Sequence, residues 1–213
     1  MGVSNSAIEQ LADRAVERTV ATRRAEYGAE MRRIAEATFA LIERTGSLDP
    51  SMREILAETG LSTQAFYRYF SSKDELMLAL LDEGRRRLVD SLQRRMARAT
   101  TPAAQVRAWI GGVLAQASNA GAAARTRPWV LSEQRLSELF PLEQQASVEL
   151  LIALLRSPIA ELHDNGKADG EDPAILVYQV TFAVLRSHLV ARTKPDAEET
   201  RALVAFCLRG AGA

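Results

Sequence analysis

The stretch ETGLSTQAFYRYFSSKDEL, from Glu58 to Leu76, concentrates side chains suited to one kind of chemistry. Gln64 carries a carboxamide with a donor and an acceptor side by side, the pair that matches the major-groove edge of adenine. Thr63 can bond either a base or a phosphate, and Ala65 completes the leading end of the same segment. Tyr67 and Tyr69 hold a hydroxyl at the tip of a rigid ring, a form suited to phosphate oxygens on either side of a groove. Arg68 and Lys73 add positive charge, and Ser51 and Arg53 can add contacts from the start of the preceding segment. This is recognition without bond making. Covalent chemistry finds no comparable set, since there is neither a glycine-rich phosphate loop nor a serine, histidine and acid constellation. Cys207 is the only cysteine, which leaves no disulfide framework and no cysteine-based metal cluster. His163 and His188 are the only histidines, without partners at metal-ligand spacing, so a helix surface or pocket edge is expected for each. No cofactor is expected.

Side chains of this kind need a rigid element to present them. Two short helices joined by a tight turn containing glycine make a helix-turn-helix. The first is expected over Met52–Glu58, after a turn at Asp49-Pro50 and an N-cap at Ser51. Ile55, Leu56 and Ala57 are expected on its inner face. Gly60 suits a backbone of positive φ, Leu61 can plug the core, and Ser62 can cap a second helix over Thr63–Tyr69. Phe66 and Phe70 lie four apart and should face inward. Upstream, Met31, Ile34, Ala35, Thr38, Leu41 and Ile42 follow the period of an amphipathic helix, with Gly46 placed to end it. Ser72 and Glu75 have the spacing of a capping box, starting a helix that can run to about Ala99.

The rest also reads as helix, with no alternating β-branched runs and no hairpin signals. Helices are expected at roughly 103–119, 128–138, 142–165, 173–193 and 196–209, with Ala120–Ala124 as a small-residue linker and a kink or division at Pro158. The fold class is thus all-α: an N-terminal three-helix helix-turn-helix domain (29–76) joined to a larger helical domain (77–213). Residues 1–28 form an extension, read as an added surface helix in preference to a basic arm in the minor groove. Lys+Arg and Asp+Glu number 27 each, so any DNA-binding surface must come from local placement of charge. The run Arg85-Arg86-Arg87 reads as a solvated or ion-paired face. No apolar run is read as a membrane span, and the first residues lack the apolar centre of a secretory signal. A cytoplasmic protein without membrane contact is expected.

Over roughly residues 30–80 the chain resembles the TetR family of bacterial transcriptional regulators. The matching features are Ile55 with Leu56-Ala57, Gly60-Leu61-Ser62, Phe66-Tyr67-Arg68-Tyr69-Phe70, and Ser71-Ser72-Lys73-Asp74-Glu75-Leu76. They follow the family's order of Ile-Ala, Gly-Val-Ser, Leu-Tyr-x-His-Phe and x-x-Lys-x-x-Leu. Gln64 stands where glycine is frequent, Tyr69 replaces the common histidine, and one residue is read as inserted between Ile55 and Ala57. The resemblance implies an all-helical homodimer, joined through its last two helices, on a pseudo-palindromic double-stranded operator. It implies repression, relieved when a small molecule binds the C-terminal domain and respaces the reading heads. The apolar helix at 173–193 suits both a pocket and a partner. Trp109, Val113, Gln116, Trp129, Leu155, Tyr178 and Phe182 are the candidates to line a cavity for a largely apolar ligand. The alternatives are a helical regulator controlled by a protein partner and, more remotely, an all-helical enzyme or ligand carrier.

Overall fold

The computed structural model describes residues 4–162 and 172–211, with side chains from Ala12 onward; His163 lies outside the described residues. Among the described residues there are ten α-helices, one 3-10 turn and no strand. The chain divides into two compact units, Met1–Leu41 with Pro50–Leu76, and Ile42–Asp49 with Met77–Ala213.

In the first unit, helix α1 (Ser4–Thr45) is one continuous helix, so the expected extension is its leading half and not a separate element. Residues Ala12–Tyr27 are exposed, whereas Ile34, Thr38 and Leu41 are buried on the face that the apolar spacing marks. Thr38 returns its hydroxyl to the Ile34 carbonyl at 2.8 Å, which satisfies the buried group inside the helix. Gly46, at φ 69°, closes α1 by donating its N–H to the Ile42 carbonyl. Helices α2 (Met52–Thr59) and α3 (Thr63–Phe66) follow, and α4 (Lys73–Met96) leaves this unit after Leu76.

The second unit is built around α5 (Pro102–Leu114), which touches α8 (Pro141–Leu162), α9 (Pro173–Ala191) and α10 (Ala197–Gly210). Val106, Trp109, Ile110 and Val113 from α5 meet Leu151 and Leu155 from α8, Val177 and Leu185 from α9, and Val204 and Cys207 from α10 in one cluster. At Gly112 a β-carbon would stand 2.5 Å from a Leu92 methyl, so a larger residue there would force the Leu92 side chain to shift.

Three helix expectations change. Ala120–Ala124 begins α6 (Ala120–Leu131), because the Asn119 side chain accepts the Ala122 N–H at 2.9 Å and caps it. Pro128 lies inside α6 instead of opening the next helix, which is the short α7 (Glu133–Leu139). Helix α8 passes through Pro158 without dividing. By length and composition alone α9 could cross a membrane, contrary to the sequence reading, but Ala174, Val177, Thr181, Leu185 and Leu189 are buried in the protein core.

Candidate nucleic-acid interface

Capping sets the ends of each short helix in the recognition turn. At Ser51 the side chain accepts the Glu54 N–H at 3.3 Å, while the Glu54 carboxylate accepts both the Ser51 N–H and hydroxyl at 2.7 Å. These donors hold the Glu54 carboxyl below its ordinary value, since they favour the charged form. The helix so started ends at Gly60, φ 70°, whose N–H returns to the Leu56 carbonyl at 2.9 Å. Two residues later Ser62 caps α3 by accepting the Ala65 N–H at 3.2 Å. Glu75 repeats the device at the start of α4. Its N–H goes to the Ser72 hydroxyl at 3.0 Å while its carboxylate reaches back one residue further, to Ser71, and is held low in pKa by those bonds.

Helix α2 carries the whole run Ile55-Leu56-Ala57 without a bulge or break. It runs regularly from cap to cap with Ile55 fully buried, Leu56 half-buried in the place after it, and Ala57 exposed instead of turned inward. Thr59 takes the remaining inner place, its hydroxyl bonded to the Ile55 carbonyl at 2.8 Å.

Phe66 and Phe70 are buried against each other, with ring centroids 5.7 Å apart. Their burial leaves the opposite face of α3 and its trailing turn to Thr63, Gln64, Tyr67 and Arg68, all exposed. Tyr67 is 53% exposed and meets Phe66 edge-on at 5.5 Å, so the ring base is steadied while the hydroxyl is free to reach outward. Ala65, Tyr69 and Lys73 are half-buried, and Ser51 and Arg53 are exposed at the start of α2. This placement assembles Thr63, Gln64, Tyr67 and Arg68 on one face, with Tyr69 turned partly away.

Two residues that the sequence reading missed hold this turn from behind. Tyr27 of α1 donates its hydroxyl to the Arg68 carbonyl at 2.6 Å and lays its ring on Tyr69 at 4.9 Å. Arg33 donates to the Thr59 carbonyl at 2.9 Å, satisfying one of the open carbonyls at the end of α2. Glu30 bonds the same guanidinium, which raises the pKa of Arg33 and lowers its own. Arg33 could have been signalled only by its place on the amphipathic stretch of α1, and Tyr27, which precedes that stretch, by no local spacing.

In the second unit Trp109, Val113 and Leu155 are fully buried, and the Trp109 indole donates to the Leu151 carbonyl at 3.2 Å. Tyr178 and Phe182, centroids 4.4 Å apart, each lie about 6.5 Å from Trp109. Burial pushes the Tyr178 hydroxyl up to about 12. Gln116 accepts from Thr126 at 3.1 Å, and Trp129 is half-buried on α6. The arginine run divides. Arg87 pairs with Glu83 at 2.7 Å, whereas Arg85 turns inward to Gln144, and burial lowers its pKa. His188 is buried at the end of α9, its ring nitrogens 2.8 Å from Thr193 and from Glu199.

Capped short helices behind a glycine turn, with a polar face outward and paired phenylalanines inward, define a helix-turn-helix DNA-binding protein. Residues 31–80 match the family model of bacterial regulatory proteins, tetR family. No curated protein sequence matches the chain. Among solved structures its fold is similar to reduced NemR from E. coli (18% identity, TM-score 0.67, covering 84% of this chain and 95% of that one). It is likewise similar to a TetR transcription regulator from Haloarcula marismortui (21% identity, TM-score 0.67, 86% and 97%). RolR in complex with resorcinol shares the fold at 15% identity (TM-score 0.52, 87% and 89%).

Proposed function

We propose that the protein is a cytoplasmic repressor that binds a pseudo-palindromic operator as a homodimer and leaves it when a small, largely apolar molecule binds the second unit. The observation that carries the reading is the exposed face of Thr63, Gln64, Tyr67 and Arg68, held on buried Phe66 and Phe70. Gln64 reads a base, Thr63 with Ala65 shapes the leading end, and Tyr67, Arg68, Tyr69, Lys73, Ser51 and Arg53 hold the backbone. Dimerisation through α9 and α10 is supported by Leu176, Val190 and Phe206, large apolar side chains left exposed on those two helices. A two-fold pair would set its reading helices about 34–36 Å apart, one turn of DNA. The ligand reading is supported by the Trp109, Tyr178 and Phe182 cluster, bordered by Val113 and Leu155, with Gln116 and Trp129 as the remaining candidates. RolR, of similar fold, was solved with resorcinol. Selection of bound duplexes from a random pool, with wild type and Gln64→Ala, tests the reading. An enriched inverted repeat whose consensus changes at one position per half-site in the variant is expected. Retention of every sequence alike by both proteins would overturn it.

A further inference from the structure

A second feature of the larger unit lies outside the aromatic cluster. Between the last turn of α1, the first turns of α6 and the corner after α9 is a cleft of about 1080 Å³. All of its lining residues belong to the one unit. Ala120, Ala123, Pro128, Leu131 and Leu189 give it an apolar wall.

The charges on the cleft are one-sided. Glu43 is its only acid, and Arg125 already sits 3.6 Å from that carboxylate. Arg127, Arg192 and Lys194 also line the cleft and have no ion-pair partner among the described residues. Arg127 carries a further deficit, because its Nε is buried without a hydrogen-bond partner. The rest of that guanidinium is only partly buried and lacks an ion-pair partner among the described residues, so it can form charge-assisted hydrogen bonds to an incoming anion.

The backbone adds an independent sign. Arg192 has φ 56° and ψ 34°, the only left-handed non-glycine residue among those described. Glycine ends a helix in that conformation without strain, and arginine does not. The strained corner is nonetheless well held. The N–H groups of Arg192 and Thr193 both return to the His188 carbonyl, and the Thr193 hydroxyl lies 2.8 Å from the His188 ring. The outcome is that Arg192 and Lys194 both stand on the cleft. Strain kept where a less strained residue would serve the fold points to a use for the side chain.

We propose that this cleft is a binding site for a small amphiphilic carboxylate, its anionic end met by Arg127, Arg192 and Lys194 and its apolar body laid on the alanine, proline and leucine wall. The volume is at the upper end for a small-molecule site. The site is independent of the DNA-binding reading, so direct titration tests it without an operator.

Titration calorimetry with phenylbutyrate, phenylbutanol and inorganic phosphate on the full chain separates the parts of the claim. Phenylbutyrate should bind at least tenfold more tightly than either the uncharged alcohol or phosphate. Arg192→Gly relieves the strained backbone, so its Tm should equal or exceed that of wild type while phenylbutyrate binds at least fivefold more weakly. Arg127→Gln should weaken binding to a similar degree. Failure of phenylbutyrate to bind at millimolar concentration overturns the site. So does equal binding of acid and alcohol, equal binding of acid and phosphate, or wild-type affinity in both variants.

Discussion

Tyr27 stands 41 residues before Arg68 in sequence, yet its hydroxyl holds the carbonyl of that residue at 2.6 Å and its ring lies on Tyr69 at 4.9 Å. Replacing Tyr27 by Phe removes the hydrogen bond and keeps the ring. A net intramolecular hydrogen bond is worth roughly 0.5–1.5 kcal/mol. Tyr27 is 45% exposed, so water replaces part of the loss. The lower half of that range, about 0.5–1 kcal/mol, is therefore expected. Tyr27→Ala also removes the ring pair, adding about 0.5–1 kcal/mol from the low end of aromatic coupling. The total of about 1–2 kcal/mol is a factor of roughly 5–30 in the local opening equilibrium. Tryptophan fluorescence would not detect it, because Trp109 and Trp129 both lie in the other unit. Amide hydrogen exchange resolved over residues 60–72 would. Exchange there should quicken about two- to fivefold in Tyr27→Phe and about five- to thirtyfold in Tyr27→Ala, by the same free energies. The helices of the second unit should not change. If Tyr27→Ala exchanges within twofold of wild type over this segment, Tyr27 does not hold the recognition turn.

Gly60→Ala should destabilise the first unit by about 1–2 kcal/mol from its left-handed backbone alone, since no atom lies within 4 Å of the added methyl. Gly60→Asn should cost less, and denaturant melts followed by circular dichroism compare the two. Glu54 is held below its ordinary value of 4.5 in the folded chain. Its contribution is therefore present above that value and lost as pH falls through the lower folded one. The Tm gap between wild type and Glu54→Gln should then be positive at neutral pH and close in the acid range; a gap independent of pH would refute the capping role of the charge. Tyr67→Ala and Lys73→Gln should weaken DNA retention about equally for all sequences, with a shallower salt slope for the lysine variant. A changed base preference in either would assign that residue to base reading.

The recognition turn was legible because the determinants that mark it in the sequence are local. Ser51, Gly60 and Ser62 act within three or four residues, and the four-residue spacing of Phe66 and Phe70 marks an inner face without knowledge of what covers it. Ala57 was misplaced because an alanine carries almost no signal of side, and the exposed Glu54 and Arg53 around it do not settle the phase of so short a helix. The continuity of α1 was hidden for another reason: between Ala12 and Tyr27 large apolar residues are few, so the period that marks Met31–Ile42 does not run back through this exposed stretch. Helix α6 was missed because a row of alanines has no period either, and a proline at Pro128 looked like a boundary. Arg85 and Tyr27 depend on partners 59 and 41 residues away, which no local pattern encodes.

The chain crosses between the units three times: inside α1 between Leu41 and Ile42, in the turn between Asp49 and Pro50, and inside α4 between Leu76 and Met77. Only the crossing at Asp49 and Pro50 offers a loop for exchanging the reading head for that of another regulator; the other two lie within helices. A chimera must be spliced within two helices at once, and each added residue rotates the chain beyond it by about 100° and advances it about 1.5 Å. Insertions of one or two residues at either splice should put the graft out of phase. Matched insertions of about four, close to a whole turn, are the ones that should leave a working hybrid.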